Sequence, residues 1–252
     1  MKVLQRINTV LHLKSILPRP RTAAVILAGG IGKRVGAKQP KQLLMIGDKP
    51  LWVHTALAFQ RCKAIDEIVL VVRKEDIAQM KMMCYTWKIK KCKAVVAGGA
   101  TRQESAQNGF RAITSKVAYV AFHDAARCLI TPSQIRDVAV AAYAYGAASA
   151  ATRVVDTVKV ANKYGFIDKT IPREEVWLAA TPQICNYVYY AAALKMAEEQ
   201  QVTVTDDNSL MELIGQRVKL VDTGSDNFKI TLPSDLARAE LILRTRELGH
   251  GH

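Results

Sequence analysis

Residues 22–30 read TAAVILAGG, a short apolar run that ends in two glycines. The run Ala23–Ala28 has no charged side chain, which predicts a β-strand buried in a parallel sheet. Similar apolar runs occur at Ile68–Val72 and Val117–Phe122, and none is long enough to cross a membrane. The stretch therefore predicts the first strand of a buried sheet, with no membrane partner.

From Thr22 onward, short apolar strands alternate with amphipathic helices. The predicted strands are Ala23–Ala28, Glu67–Val72, Lys93–Ala97 and Tyr119–His123, and the predicted helices are Pro50–Cys62, Glu75–Trp87, Arg102–Ile113 and Pro132–Tyr145. This alternation predicts an α/β fold with a doubly wound, mostly parallel sheet. Such sheets bind ligands at the carboxyl ends of their strands.

The segment 153–173 interrupts the alternation. Two strand-like runs, Thr157–Val160 and Phe166–Ile171, are joined by Asn162–Gly165, which predicts a projecting β-hairpin arm. A projecting hairpin usually packs on another surface, and a second copy of the chain is the simplest one. The sequence therefore predicts a homodimer. After the arm we expect an extended segment, two helices, a strand and a last helix: Val176–Ala180, Asn186–Gln200, Asp206–Ile214, Val218–Val221 and Pro233–Leu248.

The first 21 residues are basic and contain no acid. His12 and Lys14 interrupt their apolar stretch, which argues against a secretory signal. An organelle-targeting segment and a helical or frayed extension both fit. Pro18 and Pro20 mark the boundary of a single domain at residues 22–252, which carries the arm.

The formal net charge of +14 favours anionic partners without saying which kind. One basic tract, Lys81–Lys93, includes Tyr85 and Trp87, as nucleic-acid-binding surfaces can. No nucleic-acid-binding motif accompanies it, so a solvated helix and turn is the preferred interpretation, with no nucleic-acid partner. The five cysteines are odd in number and form no CxxC pair, which predicts free thiols, a cytoplasmic location and no zinc site.

The loop after the first strand combines glycines with cations. Its members are Ala28, Gly29, Gly30, Gly32, Lys33, Arg34, Lys38 and Lys41. Glycines let the backbone approach a ligand, and clustered cations are costly unless an anion arrives. The loop matches neither a P-loop nor a dinucleotide fingerprint. A triphosphate site is predicted here, and a solvated basic turn is the alternative.

Two further loops follow predicted strands. The first holds Gly98, Gly99, Arg102 and Ser105, and its alternative explanation is a helix cap made by Thr101 and Glu104. The second reads HDAAR at residues 123–127. A carboxylate at a strand end beside an anion site suits Mg²⁺, so Asp124 is a candidate ligand, with a local ion pair as the alternative. We expect His123 to be a structural hydrogen-bond donor.

Six motifs together resemble the 2-C-methyl-D-erythritol 4-phosphate cytidylyltransferase family of the non-mevalonate isoprenoid pathway. In order they are AGG at 28–30 with Arg34 and PKQ at 40–42, GG at 98–99 with Arg102 and Ser105, HDAAR at 123–127, TPQ at 181–183, TDD at 205–207 and NFK at 227–229. The resemblance spans residues 23–248 and implies a Rossmann-like nucleotidyltransferase. Each motif is weak alone, but six in register are specific.

The resemblance implies a role for each site residue. The CTP phosphates and the transition state would be held by Arg34, Lys41 and Lys229, beside backbone from Ala28, Gly29, Gly30 and Gly32. The nucleoside would lie against Gly99, Arg102 and Ser105. The polyol phosphate would be surrounded by Asp124, Arg127, Thr157, Arg173 and Thr181, with Thr157 and Arg173 supplied by the arm of a dimer partner. Mg²⁺ or another divalent cation would bind near Asp124.

The sequence departs from the family pattern at three places. Gly29 stands where many members have alanine, Cys128 where proline is usual, and Pro172 where an aspartate often precedes the arginine. None of these changes removes a cation. The alternatives are a ribitol-5-phosphate cytidylyltransferase, a sugar-1-phosphate nucleotidyltransferase and a non-catalytic nucleotide- or nucleic-acid-binding module.

Overall fold

The computed structural model of this chain describes residues 18–30 and 40–248. The described strands are β1 Thr22–Leu27, β2 Met45–Ile46, β3 Lys49–Pro50, β4 Glu67–Val72, β5 Cys92–Ala97, β6 Tyr119–Asp124, β7 Ala147–Arg153, β8 Val158–Ala161, β9 Ile167–Ile171, β10 Trp177–Asn186 and β11 Lys219–Asp222. The described helices are α1 Leu51–Arg61, α2 Ile77–Thr86, α3 Arg102–Arg111, α4 Pro132–Tyr145, α5 Tyr187–Glu199, α6 Asp207–Leu213 and α7 Pro233–Leu248.

Seven strands form the central sheet in the order β11-β7-β10-β6-β1-β4-β5. Strand β1 lies parallel to β4 and β6, β4 lies parallel to β5, and β11 lies parallel to β7. Only β10 runs antiparallel, between β6 and β7. The predicted α/β, mostly parallel sheet is confirmed. The carboxyl ends of β1, β4, β5 and β6 share one edge of it.

Helices cover both faces of the sheet. Alternate residues of the strands face opposite sides, so Ile26 packs with α1, α2 and α4, whereas Val25 packs with α3, α5 and α6. Gly109 of α3 lies against β1 and β4, where a Cβ atom would stand 2.3 Å from Val25 Cγ1. This close packing places the amino terminus of α3 at the carboxyl edge of the sheet.

One central strand was not predicted. Strand β7 reads AASAATR, and alanine has low strand propensity, so no pattern indicated it. Its small side chains are buried, and its backbone pairs with β10 on one side and β11 on the other. Residues 181–183 were expected to close the strand after the arm. They lie inside β10, which continues to Asn186.

The arm is an antiparallel hairpin of β8 and β9, as predicted, although β8 begins one residue after Thr157. It carries large apolar side chains that are mostly exposed in this chain, namely Val155, Tyr164, Phe166 and Ile167. Of the N-terminal extension, Arg19 is described, and its guanidinium binds Asp66 at 2.7 Å. No helix within residues 18–30 and 40–248 is long and apolar enough to span a membrane.

Candidate active site

A cavity of about 640 Å³ opens at the carboxyl ends of β1, β4, β5 and β6. Among the residues described, its lining includes five cations and two carboxylates: Lys41, Arg73, Lys74, Arg102, Lys229, Glu75 and Asp124. Backbone from Ala28, Gly29, Gly30, Gly98 and Gly99 also lines it. The excess of positive charge suits a polyanionic ligand.

Asp124, the last residue of β6, lies at the centre of the charged groups. Its Oδ2 lies 2.8 Å from Lys229 Nζ, and its Oδ1 lies 3.7 Å from Arg102 Nε. Burial alone would raise the pKa of Asp124, but the neighbouring cations outweigh burial and hold that pKa at about 2. Asp124 is therefore an ionised carboxylate at any pH at which the protein would work.

Lys229 is placed by backbone contacts on either side of it. The Ile230 N–H donates to the Ala126 carbonyl at 2.8 Å, and Arg127 Nη1 donates to the Asn227 carbonyl at 2.9 Å. Lys41 Nζ donates to the Ile230 carbonyl at 2.5 Å. These bonds bring Lys41 and Lys229 together at one side of the cavity, although 188 positions separate them in the sequence.

The loop from Gly98 to Ser105 is both a helix cap and a cavity wall. Thr101 accepts from the Glu104 N–H at 3.1 Å, and Glu104 Oε2 accepts from the Ala100 N–H at 2.8 Å. Ser105 Oγ accepts from the Gly99 N–H at 3.0 Å. The cap alternative is thus correct in geometry, and Gly99, Thr101 and Ser105 of the same loop also line the cavity. The two explanations are compatible.

Arg102 is held by a buried carboxylate, Asp207, to which sequence analysis gave no individual role. Its Nη2 lies 2.7 Å from Asp207 Oδ2, and Asp207 also accepts from the Tyr190 hydroxyl at 2.9 Å. Gln183 Oε1 accepts from the Asp207 N–H at 2.8 Å. Asp207 belongs to the TDD motif at 205–207, so the motif gave a signal for its importance but not for its partner.

Thr181 and His123 form a buried link between β6 and β10. Thr181 Oγ1 accepts from the Asp124 N–H at 3.0 Å and lies 3.0 Å from His123 Nδ1. Burial lowers the pKa of His123 to about 3, so the ring is neutral, and its Nε2 lies 3.3 Å from the Arg127 carbonyl. His123 thus fits the expected structural role. The Thr181 hydroxyl forms its hydrogen bonds with groups of the protein itself.

The predicted site residues separate into four groups. The cavity lining includes Ala28, Gly29, Gly30, Lys41, Gly99, Arg102, Ser105, Asp124 and Lys229. Arg127 and Thr181 lie directly behind it, bonded as described above. Thr157 and Arg173 lie on the exposed arm, where Arg173 Nη1 donates to the Val155 carbonyl at 2.9 Å, and they do not line this chain's own cavity. Gly32 and Arg34, with Lys33 and Lys38, lie outside the described residues.

Sequence analysis gave no role to four charged or polar cavity residues, namely Gln42, which it quoted only as part of a motif, and Arg73, Lys74 and Glu75. Arg73 and Lys74 follow β4, and the rule that ligands bind at strand carboxyl ends would have found them. Gln42 is nearly fully buried, and its Nε2 has no hydrogen-bond partner within the described part of the chain. A buried amide donor without a partner is costly, which suits a ligand acceptor in the cavity.

The carboxylate of Asp124 fits a divalent cation that arrives with phosphate. Within the described ranges, no cluster of three or more His, Cys, Asp or Glu could hold a metal ion unaided. Magnesium, however, is commonly held by one or two carboxylates, with phosphate oxygens and waters completing its shell. The low pKa of Asp124 keeps this ligand ionised.

Comparison with known proteins now decides the family. The family model described as 2-C-methyl-D-erythritol 4-phosphate cytidylyltransferase matches residues 22–245. The chain belongs to this family. A cytidylyltransferase of that name from Pelotomaculum thermopropionicum is 38% identical over 228 residues, which cover 90% of this chain and 96% of that protein. One from Geobacillus kaustophilus is 38% identical over 223 residues, covering 88% and 97%.

Solved structures of cytidylyltransferases share the fold. The 4-diphosphocytidyl-2C-methyl-D-erythritol synthase of Anaerococcus prevotii superposes with a TM-score of 0.79 at 28% identity, covering 89% of this chain and 96% of that one. The cytidylyltransferase of Thermus thermophilus superposes with a TM-score of 0.71 at 28% identity, covering 88% and 98%. The resemblance found in the sequence is confirmed.

Proposed function

We propose that this chain transfers the cytidylyl group of CTP to 2-C-methyl-D-erythritol 4-phosphate, giving CDP-methylerythritol and pyrophosphate in isoprenoid precursor biosynthesis. The observation that carries this proposal is the cationic cavity at the carboxyl edge of the sheet, in a chain of this family. The relatives described above all carry the methylerythritol name, which does not favour ribitol 5-phosphate as the acceptor.

The chemical difficulty of this transfer is electrostatic. A phosphate monoester, with a second pKa near 6, is already largely ionised at neutral pH and needs no general base. Its approach to the anionic α-phosphate of CTP is opposed by charge repulsion, and cations fixed in place lower that barrier. Lys41 and Lys229, held together through Ile230, are the cations we assign to the reacting phosphates. The family resemblance implies the same role for Arg34.

Other residues would bind and orient the two substrates. Gly99, Arg102 and Ser105 line the part of the cavity that we assign to the nucleoside. Asp124 would hold Mg²⁺ together with phosphate oxygens, and the ion would supply further neutralisation of phosphate charge. We assign Arg127 and Thr181 to the polyol phosphate side. Thr181 also accepts from the Asp124 N–H, and Arg127 donates to the Asn227 carbonyl.

We also propose that the arm completes the site of a second copy of the chain. The arm of a single chain exposes large apolar side chains, which supports their burial against a partner chain. Thr157 and Arg173 on one arm would then reach the polyol phosphate in the other copy. All five cysteines are free, which supports a reducing location such as the cytoplasm.

Pyrophosphate release tests the reaction. The full chain is incubated with CTP and Mg²⁺ and with methylerythritol phosphate, ribitol 5-phosphate or no acceptor. We expect release with methylerythritol phosphate alone, and a product with the mass of CDP-methylerythritol. Equal release with ribitol 5-phosphate would favour the other acceptor, and no release under any condition would favour a binding module without catalysis.

A further inference from the structure

A second cavity, of about 370 Å³, lies outside the site described above. Its described lining is Lys81, Cys84, Cys92, Lys93, Ala94 and Val95, and none of these residues lines the first cavity. It lies between α2 and β5, the edge strand of the central sheet. Two thiols and two cations therefore share one open space.

The backbone brings the two thiols together. Cys84 is in the last turn of α2, and Cys92 is the first residue of β5. The Ile89 N–H donates to the Cys84 carbonyl at 2.9 Å, and the Cys92 N–H donates to the Ile89 carbonyl at 3.1 Å. Lys88 takes a positive φ of 53° as the chain reverses. This tight return holds Cys84 and Cys92 side by side.

The environment of this pair differs from that of the other cysteines. Cys84 and Cys92 are partly exposed, whereas Cys62, Cys128 and Cys185 are buried. The neighbouring Cys84 side chain lowers the pKa of Cys92, and the Cys92 thiol donates to the Ala94 carbonyl at 3.5 Å. Nearby lysines favour a thiolate, which is the form that attacks disulfides. Lys81 and Lys93 would also attract a disulfide that carries carboxylates.

We propose that Cys84 and Cys92 form a dithiol that undergoes thiol–disulfide exchange with an anionic low-molecular-weight disulfide. The Cys92 thiolate attacks one sulfur of the disulfide, the S–S bond breaks, and one thiolate leaves. Cys84 then attacks the Cys92 sulfur of the mixed disulfide, and the second thiolate leaves and takes up the Cys84 proton. The protein loses two electrons to form a Cys84–Cys92 disulfide, and the small disulfide is reduced to two thiols.

Oxidised glutathione is a suitable anionic probe for the reduced full chain. We expect the intact mass to fall by that of two hydrogen atoms, with three thiols left for alkylation after denaturation. Without reduction, trypsin should release a peptide of residues 82–88 joined to residues 92–93. Five free thiols, a mixed disulfide that persists, or a bridge that maps to other cysteines would each overturn the proposal.

Variants separate the two steps. Cys84→Ser should stop at a stable mixed disulfide on Cys92. Cys92→Ser should react about tenfold more slowly or worse, because the pKa of the Cys84 thiol is raised by its hydrogen bond to position 92 and by burial. Cys62→Ser, a matched control at a buried thiol, should still form the bridge. Equal reaction of the Cys84→Ser and Cys92→Ser variants would contradict the assigned order of attack.

Disulfides of different charge test the role of the two lysines. Replacing Lys81 and Lys93 together by Gln should slow exchange with oxidised glutathione more than exchange with the neutral disulfide of 2-mercaptoethanol. An unchanged ratio of the two rates would remove the anionic preference from the proposal. This inference does not depend on the cytidylyl transfer reaction.

Discussion

Lys229 Nζ lies 2.8 Å from Asp124 Oδ2, so the loop before α7 and the end of β6 meet as an ion pair inside the cationic cavity. The Lys229 side chain is 41% exposed and the Asp124 side chain 13% exposed. The lysine therefore remains open to a ligand from one side, while the carboxylate holds it in place.

Replacing Lys229 by Ala should lower turnover by about 10²-fold or more, the scale seen when one charge-stabilising donor is lost. The fold should survive, because the side chain is partly exposed. Steady-state pyrophosphate release measures the effect, with the loss mainly in kcat if Lys229 acts in the transition state. Lys195→Ala, at an exposed lysine of α5, is the matched control and should have wild-type activity. Near-normal turnover of Lys229→Ala would contradict the assigned role.

His123 should make stability depend on pH. Its pKa is lowered by burial to about 3, against an ordinary value of 6.5 in the unfolded chain. Between these values the unfolded chain binds a proton that the folded chain does not, so the free energy of unfolding falls as pH falls, by about 1.4 kcal/mol per pH unit. Denaturant titrations at several pH values between the two pKa values give the free energy of unfolding. That free energy should depend less steeply on pH in His123→Asn. Equal slopes for the variant and the unchanged protein would show that His123 does not titrate in this way.

Substitution by alanine should have different effects at two glycines of the cavity. A Cβ at Gly29 would lie 3.7 Å from the Val72 carbonyl carbon, an ordinary contact, so Gly29→Ala should keep activity. A Cβ at Gly99 would lie 2.3 Å from Glu104 Cβ, so the loop must move. We expect the KM for CTP to rise about tenfold or more in Gly99→Ala, since a displacement of about 1 Å can cost 10²-fold. Equal KM values in the two variants would contradict this distinction.

Asp207 should contribute to stability through Arg102. Asp207→Asn keeps the side-chain volume but leaves a partly buried guanidinium without its 2.7 Å partner, and breaking such a pair costs about 3 kcal/mol. Tyr190→Phe removes only the 2.9 Å hydrogen bond to Asp207 and should cost about 1 kcal/mol. Urea unfolding of both variants measures the difference. A smaller loss in Asp207→Asn than in Tyr190→Phe would show that the ion pair is not the main contribution.

The arm should control oligomeric state. Phe166 and Ile167 are 71% and 66% exposed in a single chain, so burial against a second copy would remove a large apolar surface from water. Replacing both by Ser should convert a dimer to a monomer in sedimentation experiments and lower turnover with it. Leu241→Ser, at a 66% exposed leucine of α7, is the control and should leave the dimer intact. A dimer that survives the arm substitutions would place the interface elsewhere.

Most elements of the fold could be predicted because their patterns are local. Strand β4 and helix α4 were predicted at their observed bounds, from an apolar run and from a Thr131 cap before Pro132. Helix α7 also has its predicted bounds, and most other boundaries differ by one or two residues, but β10 continues six residues past the predicted end at Ala180. Strand β7 was missed because alanines have little strand preference of their own, and only their burial between two strands makes that segment extended.

The sequence by itself determined the class of fold, the edge of the sheet that holds the site, and the family. The signals for these are local. Hydrophobic periodicity, and the glycines and charges that follow each strand, can be recognised within a few residues of sequence without reference to distant contacts. The tertiary structure decided which residues act together. Arg102 pairs with Asp207, 105 positions away, and Lys41 bonds to Ile230, 189 positions away. Such pairs depend on how helices and loops pack over the sheet, because a side chain's partner is set by distance in space and not by its neighbours in the chain.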